Sequence, residues 1–141
     1  MLPAVSAEDC LFADLGIDPA RFGCQSYEAT DFLVRHRVVD TTAALVLWQV
    51  GTVGSAGAAA EAQPTGLGVL VERLLEQYPA EHEVVLYEAS PYIGFDPLIR
   101  PVSLAELGPD HVTAMATLYV PPLTQAPIDA SVLERLGLPA S

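Results

Sequence analysis

Residues 67–88, LGVLVERLLEQYPAEHEVVLYE, hold two periodicities whose order decides the fold. Leu67, Leu70, Val71, Leu74, Leu75 and Tyr78 recur at helical spacing, with Glu72, Arg73, Glu76 and Gln77 between them. That pattern puts the apolar side chains on one stripe of an α-helix and the charged ones on the other. Pro79 ends the helix, because it has no amide hydrogen and its ring clashes with the preceding turn. The next run, HEVVLYEAS, is rich in β-branched and aromatic residues and reads as a strand. Upstream, TAALVLWQVG at 42–51 is continuously apolar rather than alternating, which predicts a strand covered on both faces and ended by Gly51. Strand, long helix, strand predicts a right-handed crossover between parallel strands.

The same reading extends outward. TVGSAGAAAEAQPTG at 52–66 is a long connection of small residues, a kind that more often carries function than not. LIRPVSLAELG at 98–108 predicts a short extended piece and then one or two helical turns, with Ser103 and Glu106 in capping-box spacing. MATLYVPP predicts a strand that stops at Pro121 and Pro122, which lack ladder donors. DASVLERLG predicts a last helix from Asp129 to a Gly137 cap. Near the start, Ser6 and Asp9 have capping-box spacing, Val5 and Cys10 can form a staple, and Leu11, Phe12 and Leu15 give an apolar face stopped by Gly16. IDPARFGCQ reads as a loop and EATDFLVRH as a short helix. The fold class is α/β, a mixed sheet of a few strands flanked by helices.

Composition narrows the function. A chain of 141 residues fits one domain and buries roughly 68% of its unfolded surface. It is 51% hydrophobic and only 17% charged, below the ~25% charged residues of an ordinary domain. The surplus apolar surface suits a partner subunit or further domain. Six Lys and Arg against eighteen Asp and Glu give a net charge of −12, a field that repels nucleic acid and anionic membrane. No run reaches the ~18 apolar residues of a spanning helix, and no basic-then-apolar start marks a secretory signal. Cys10 and Cys24 are too few for a disulfide scaffold and wrongly spaced for zinc, so the expected setting is the reducing cytoplasm.

The common catalytic constellations are absent. His36, His82 and His111 lack metal-ligand spacing, no phosphate loop occurs, and no serine sits in a nucleophile elbow. Cys10 reads as a buried helix residue. Three places rise above this background. The helix start at Ser6 and Ala7 either is simply capped or offers amide hydrogens to a polar ligand group. The strand end Trp48-Gln49-Val50-Gly51 lies where α/β sheets bind ligands, and Gln49 is either a ligand contact or a satisfied core amide. Leu118-Tyr119-Val120-Pro121-Pro122 either packs the core or borders a site.

Taken in order, PAVSAEDCLFADLGIDP, GCQSYEATDFL, LVLWQVG, YPAEHEVVLYEA and TLYVPP resemble the tetrapyrrole (corrin/porphyrin) methylase superfamily, most of all its branch of borosin peptide N-methyltransferases. The pieces cover nearly the whole chain. The resemblance implies a SAM-dependent methyltransferase fold of two α/β domains, with SAM or SAH in the cleft between them, usually in a homodimer. It implies that 1–24 correspond to the end of the first domain and 25–141 to the second. Ser6 and Ala7 match the family's PGVSA or PGVTA turn, which contacts SAM. Gln49, Val50 and Gly51 match the strand end beside the methionine part of the cofactor. Leu118, Tyr119 and Val120 match the late strand whose backbone lies near the adenine, and Phe12 is a candidate for lining the same pocket. Ala4 stands where the family has glycine, and the GxGxG-like loop of the first domain is absent from the sequence. The implied activity is therefore methyl transfer, on a peptide backbone or another acceptor, with the GxGxG half supplied by a partner chain. The alternative is a non-catalytic dimerisation or binding module, and a third reading is a self-contained α/β protein with an unrelated ligand. Because the family's first helix packs on a sheet of the missing first domain, Leu11, Phe12 and Leu15 are expected to pack on another subunit, by exchange of the N-terminal segment.

Overall fold

The structure is a computed structural model that describes residues 7–53, 64–89, 96–108, 112–113 and 115–139. The apolar run at 42–51 forms strand β2 (Ala44–Trp48), and every residue of it but Trp48 is buried. Its position explains the lack of alternation. It lies inside a five-stranded sheet of order β1-β2-β5-β3-β4, with β1 (Cys24–Glu28), β3 (Glu83–Glu88), β4 (Leu98–Ser103) and β5 (Thr117–Val120). β1 pairs parallel to β2, while β5 pairs antiparallel to both β2 and β3, and β4 antiparallel to β3. Thus β1, β2 and β3 point the same way. The helix α4 (Pro64–Leu75) joins β2 to β3 as the periodicity predicts, but the two strands are not neighbours, since β5 lies between them.

Two apolar clusters cover the two faces. On one, the α4 stripe of Leu67, Leu70 and Leu74, together with Tyr78, packs on Leu45, Leu47, Leu86, Leu118 and Val120 and on Phe32 of α3 (Ala29–Val34). On the other, Leu11 and Phe12 of α1 (Ala7–Leu15) pack on Ala44, Val46, Tyr87 and Tyr119. Leu11 is 0% exposed within the single chain. The expectation that α1 needs another subunit is corrected by this contact, because the sheet of the chain itself takes the apolar stripe. Gly16 ends α1 in the left-handed region (φ 68°), and the Ile17 amide donates to Phe12 O at 2.9 Å.

Three segments differ from the sequence reading. IDPARFGCQ is not a loop throughout, since Asp18 caps a short helix α2 (Pro19–Phe22) and Cys24 and Gln25 open β1. LIRPVS is a full edge strand rather than a short extended piece, paired to β3 along its length. Ser103 precedes the 3-10 turn Leu104–Glu106 but makes no side-chain capping bond. The last helix, α5 (Ala130–Leu136), is as expected: the Asp129 carboxylate accepts from the Ser131 and Val132 amides, and Gly137 closes it in the left-handed region. The predicted capping box at Ser6, the connection 54–63 and His111 lie outside the described residues.

Candidate functional site

The carboxyl ends of β1, β2 and β3 share one end of the sheet, the end at which open α/β sheets bind ligands. At its centre the chain leaves β2 through Gln49, which has φ 60° and ψ 41° and an exposed side chain. A left-handed conformation costs a residue with a Cβ about 1–2 kcal/mol and persists only where its surroundings fix it. Here they do. The Thr52 amide and hydroxyl donate to Gln49 O at 3.1 and 3.3 Å. The Val50 amide donates to Ala116 O at 3.2 Å, tying the turn Val50–Thr52 to the start of β5. On its other side Val53 lies so close to α4 that a Cβ on Gly66 would meet the Val53 carbonyl oxygen at 2.1 Å. Val50, Gly51 and Val53 are buried, so the turn is a clamped platform from which Gln49 projects.

Polar pairs surround this end, two of them on the α1 side. The Trp48 indole donates to Ser26 Oγ at 2.6 Å across the β1–β2 pair. The Tyr87 hydroxyl donates to Asp14 Oδ2 on α1 in a short bond. Burial pushes the Tyr87 hydroxyl pKa far up, and the bond to the Asp14 carboxylate pushes it the same way, so Tyr87 stays protonated. The Thr113 hydroxyl donates to Glu88 Oε2 at 2.9 Å beyond the end of β3. Sequence reasoning missed these groups, because Asp14 and Tyr87 are 73 residues apart and nothing local to either announces the other.

The residues carried over from the resemblance occupy different environments. Gln49, Val50 and Gly51 form the platform just described. Phe12 and Tyr119 meet in the α1-side cluster, and burial raises the Tyr119 hydroxyl pKa as well. Leu118 and Val120 point to the opposite face and are fully buried beneath α4. The backbone of Leu118 and Tyr119 is flanked by β2 on one side and β3 on the other. Val120 pairs with Leu45, about 13 Å along the strand from Gln49 at the usual strand rise. Ala7 begins α1, and Ser6 lies outside the described residues. Of these candidates, only the Gln49–Gly51 turn fits an open ligand surface; the side chains of Phe12, Leu118, Tyr119 and Val120 are engaged in packing. Among the described residues no cluster of His, Cys, Asp or Glu is arranged to hold a metal ion, and no helix is long and apolar enough to cross a membrane.

A mixed sheet with β5 between β2 and β3, helices on both faces and a clamped turn after β2 defines an α/β domain. The solved structure of the methyltransferase CobJ superposes with a TM-score of 0.56 over 92% of this chain and 53% of its own, at 12% identity, a likeness of fold alone. Over its whole length the chain is homologous to a segment of the borosin methyltransferase/precursor proteins. It is 41% identical, over 100% of its length, to the methyltransferase/gymnopeptides precursor gymMA1 of Gymnopus fusipes. It is 44% identical, over 98% of its length, to the methyltransferase/omphalotin A precursor ophMA of Omphalotus olearius. The type I borosin precursor sveMA of Serendipita vermifera subsp. bescii is 39% identical over 99% of it. The chain spans about a third of the length of these relatives, 35%, 34% and 35% respectively. No family model matches it.

Proposed function

We propose that the chain is the second domain of a SAM-dependent peptide methyltransferase of the borosin kind, with residues 1–24 as the tail of the first domain. The observation that supports this most is the ~40% identity, across nearly the whole chain, to proteins named as both methyltransferase and cyclic-peptide precursor. SAM, when bound, supplies a sulfonium methyl group to a nucleophile aligned with it. The contribution of this chain is positional. The clamped turn holds the Gln49 carboxamide, which both donates and accepts hydrogen bonds, at the open end of the sheet to orient a polar ligand group. α1 and the buried Tyr119 close the sheet beside it against water, which serves alignment and exclusion of solvent. The acceptor-facing side comes from a GxGxG-containing half in a partner or a further domain, and the working unit is a homodimer or that complex in the cytoplasm.

One observation favours a second reading, an interaction module without chemistry: no residue of α5 is buried, and Ile128, Val132, Leu136 and Leu138 are exposed. Calorimetry separates the two. The chain is titrated with SAM and SAH, alone and mixed with the first half of a borosin methyltransferase. Saturable heat that is lost in Gln49→Trp supports the methyltransferase reading. No heat at millimolar ligand from folded protein in either mixture sinks it and leaves the interaction module. Binding that survives Gln49→Trp moves the cofactor away from this turn.

A further inference from the structure

On the opposite side of the molecule from α1, the end of α3 and the last turns of α4 enclose a crevice of about 90 Å³. Phe32 and Leu74, both fully buried, form its floor, and Arg37, Arg73, His36 and Glu76 line its walls. We propose that this crevice binds a small oxyanion, a carboxylate or phosphate group, through Arg73 and Arg37.

Four observations carry the assignment. The chain has six cationic side chains in a net charge of −12, and Arg35, Arg37 and Arg73 gather at this corner. The guanidinium groups are incompletely used. Arg73 bonds Glu76 through Nε at 3.1 Å while its Nη1 is buried without a hydrogen-bond partner. Arg37 bonds Asp31 Oδ2 through Nε and Nη2, at 3.4 and 3.2 Å, with its guanidinium 5.3 Å over the Tyr27 ring, and Asp31 is shared with Arg35 at 2.7 Å. His36 is held in the left-handed region (φ 48°), a conformation a side chain with a Cβ adopts only when its surroundings impose it. The connection that carries His36–Val39 is pinned, since the Gln25 carboxamide donates to Asp40 O at 3.0 Å and accepts from the Asp40 amide at 2.9 Å.

Chemically, a guanidinium offers five donors in a planar fork that matches an oxyanion edge to edge. A rotation of the terminal Arg73 torsions gives Nη1 the acceptor it lacks, and the apolar floor strengthens the interaction by lowering the local dielectric. The volume admits a group of a few heavy atoms and excludes a nucleotide. Glu76 lines the crevice as well as the outer surface of α4 that it shares with Glu72, and its carboxylate holds Arg73 through Nε, leaving Nη1 for the incoming anion. The assignment stands apart from the methyl-transfer reading.

The test is calorimetric titration of the whole chain with inorganic phosphate and, separately, sodium acetate at low ionic strength. Saturable binding in the low-millimolar range or tighter is expected, weakened at least tenfold in Arg73→Gln and at least threefold in Arg37→Gln. Arg100→Gln, on the edge strand β4, should bind within twofold of the parent chain. Circular dichroism confirms that each variant is folded, and the two arginine variants are independent should one fail to fold. Tighter phosphate than acetate assigns a phosphoryl ligand, and acetate at least as tight assigns a carboxylate. Absence of saturable heat with either anion, or unchanged binding in folded Arg73→Gln, overturns the proposal.

Discussion

Two glycines two residues apart in α4 make opposite demands. A methyl group on Gly66 would collide with the Val53 backbone, 2.1 Å from its oxygen and 2.9 Å from its carbonyl carbon, whereas nothing lies within 4 Å of a Cβ on Gly68. Alanine is favoured over glycine in a helix by ~1 kcal/mol, but a backbone clash costs about 1–3 kcal/mol or more. Gly68→Ala should therefore raise stability by ~0.5–1 kcal/mol and Gly66→Ala should lower it by about 2 kcal/mol, as read from urea midpoints. An inverted order would show that α4 does not press on the turn after β2. Tyr78 gives a second residue-scale outcome. Its hydroxyl is buried without a partner, although its ring stacks on His82 at 5.0 Å. An unpaired buried hydroxyl costs about 1–3 kcal/mol, so Tyr78→Phe should leave the fold as stable or up to ~1 kcal/mol more stable. A loss above ~1 kcal/mol would mean that the hydroxyl has an acceptor.

Helices α1 and α5 show how differently a helix can belong to a fold. α1 delivers Leu11 and Phe12 into the sheet, so Leu11→Ala should cost ~2–5 kcal/mol. That cost should not vary with protein concentration, because the contact is within one chain; a midpoint that shifts on dilution would restore the intersubunit packing. α5 buries nothing. A chain ending at Ile128 should unfold within ~0.5 kcal/mol of the parent, and its removal should take with it only fast-exchanging amides. The same contrast shows what the sequence could disclose. α4 was legible because its stripe repeats over three turns, and β2 because a strand buried at all but its last residue has no polar residue to interrupt it. β1 was not, since Gln25, Ser26 and Glu28 are polar and the strand shows no buried side. The prolines marked the end of β5 correctly, but its central place depends on pairings with residues far away in sequence. The Gln49 turn was legible as a strand end. The Tyr87–Asp14 bond and the arginine crevice were not, because each is assembled by tertiary contact between segments with no local signal.

At the scale of the molecule, three tyrosines link stability to pH. Burial, and then the Asp40 charge, push the Tyr78 hydroxyl up to about 12 from its ordinary value of 10, and those of Tyr87 and Tyr119 are raised as well. A raised pKa means that the native chain keeps protons the unfolded chain has lost, so unfolding is favoured as pH rises. The contribution is complete below pH 10 and decays between about 10 and 12 for Tyr78. The thermal midpoint should fall steeply across that interval, and less steeply in Tyr78→Phe; a flat profile would contradict the buried setting of these hydroxyls. The order of the strands bears on how such a chain is made. β1–β2 and β3–β4 form two separate pairs, and only β5, late in the sequence, bridges them. As the chain leaves the ribosome it therefore carries two unjoined sheet fragments, each with an open inner border, until residues 117–120 emerge and slot between them. Assembly of the sheet is a single closing event that waits for this one strand, and any lesion in Thr117–Val120 would leave two sticky halves instead of one weakened protein.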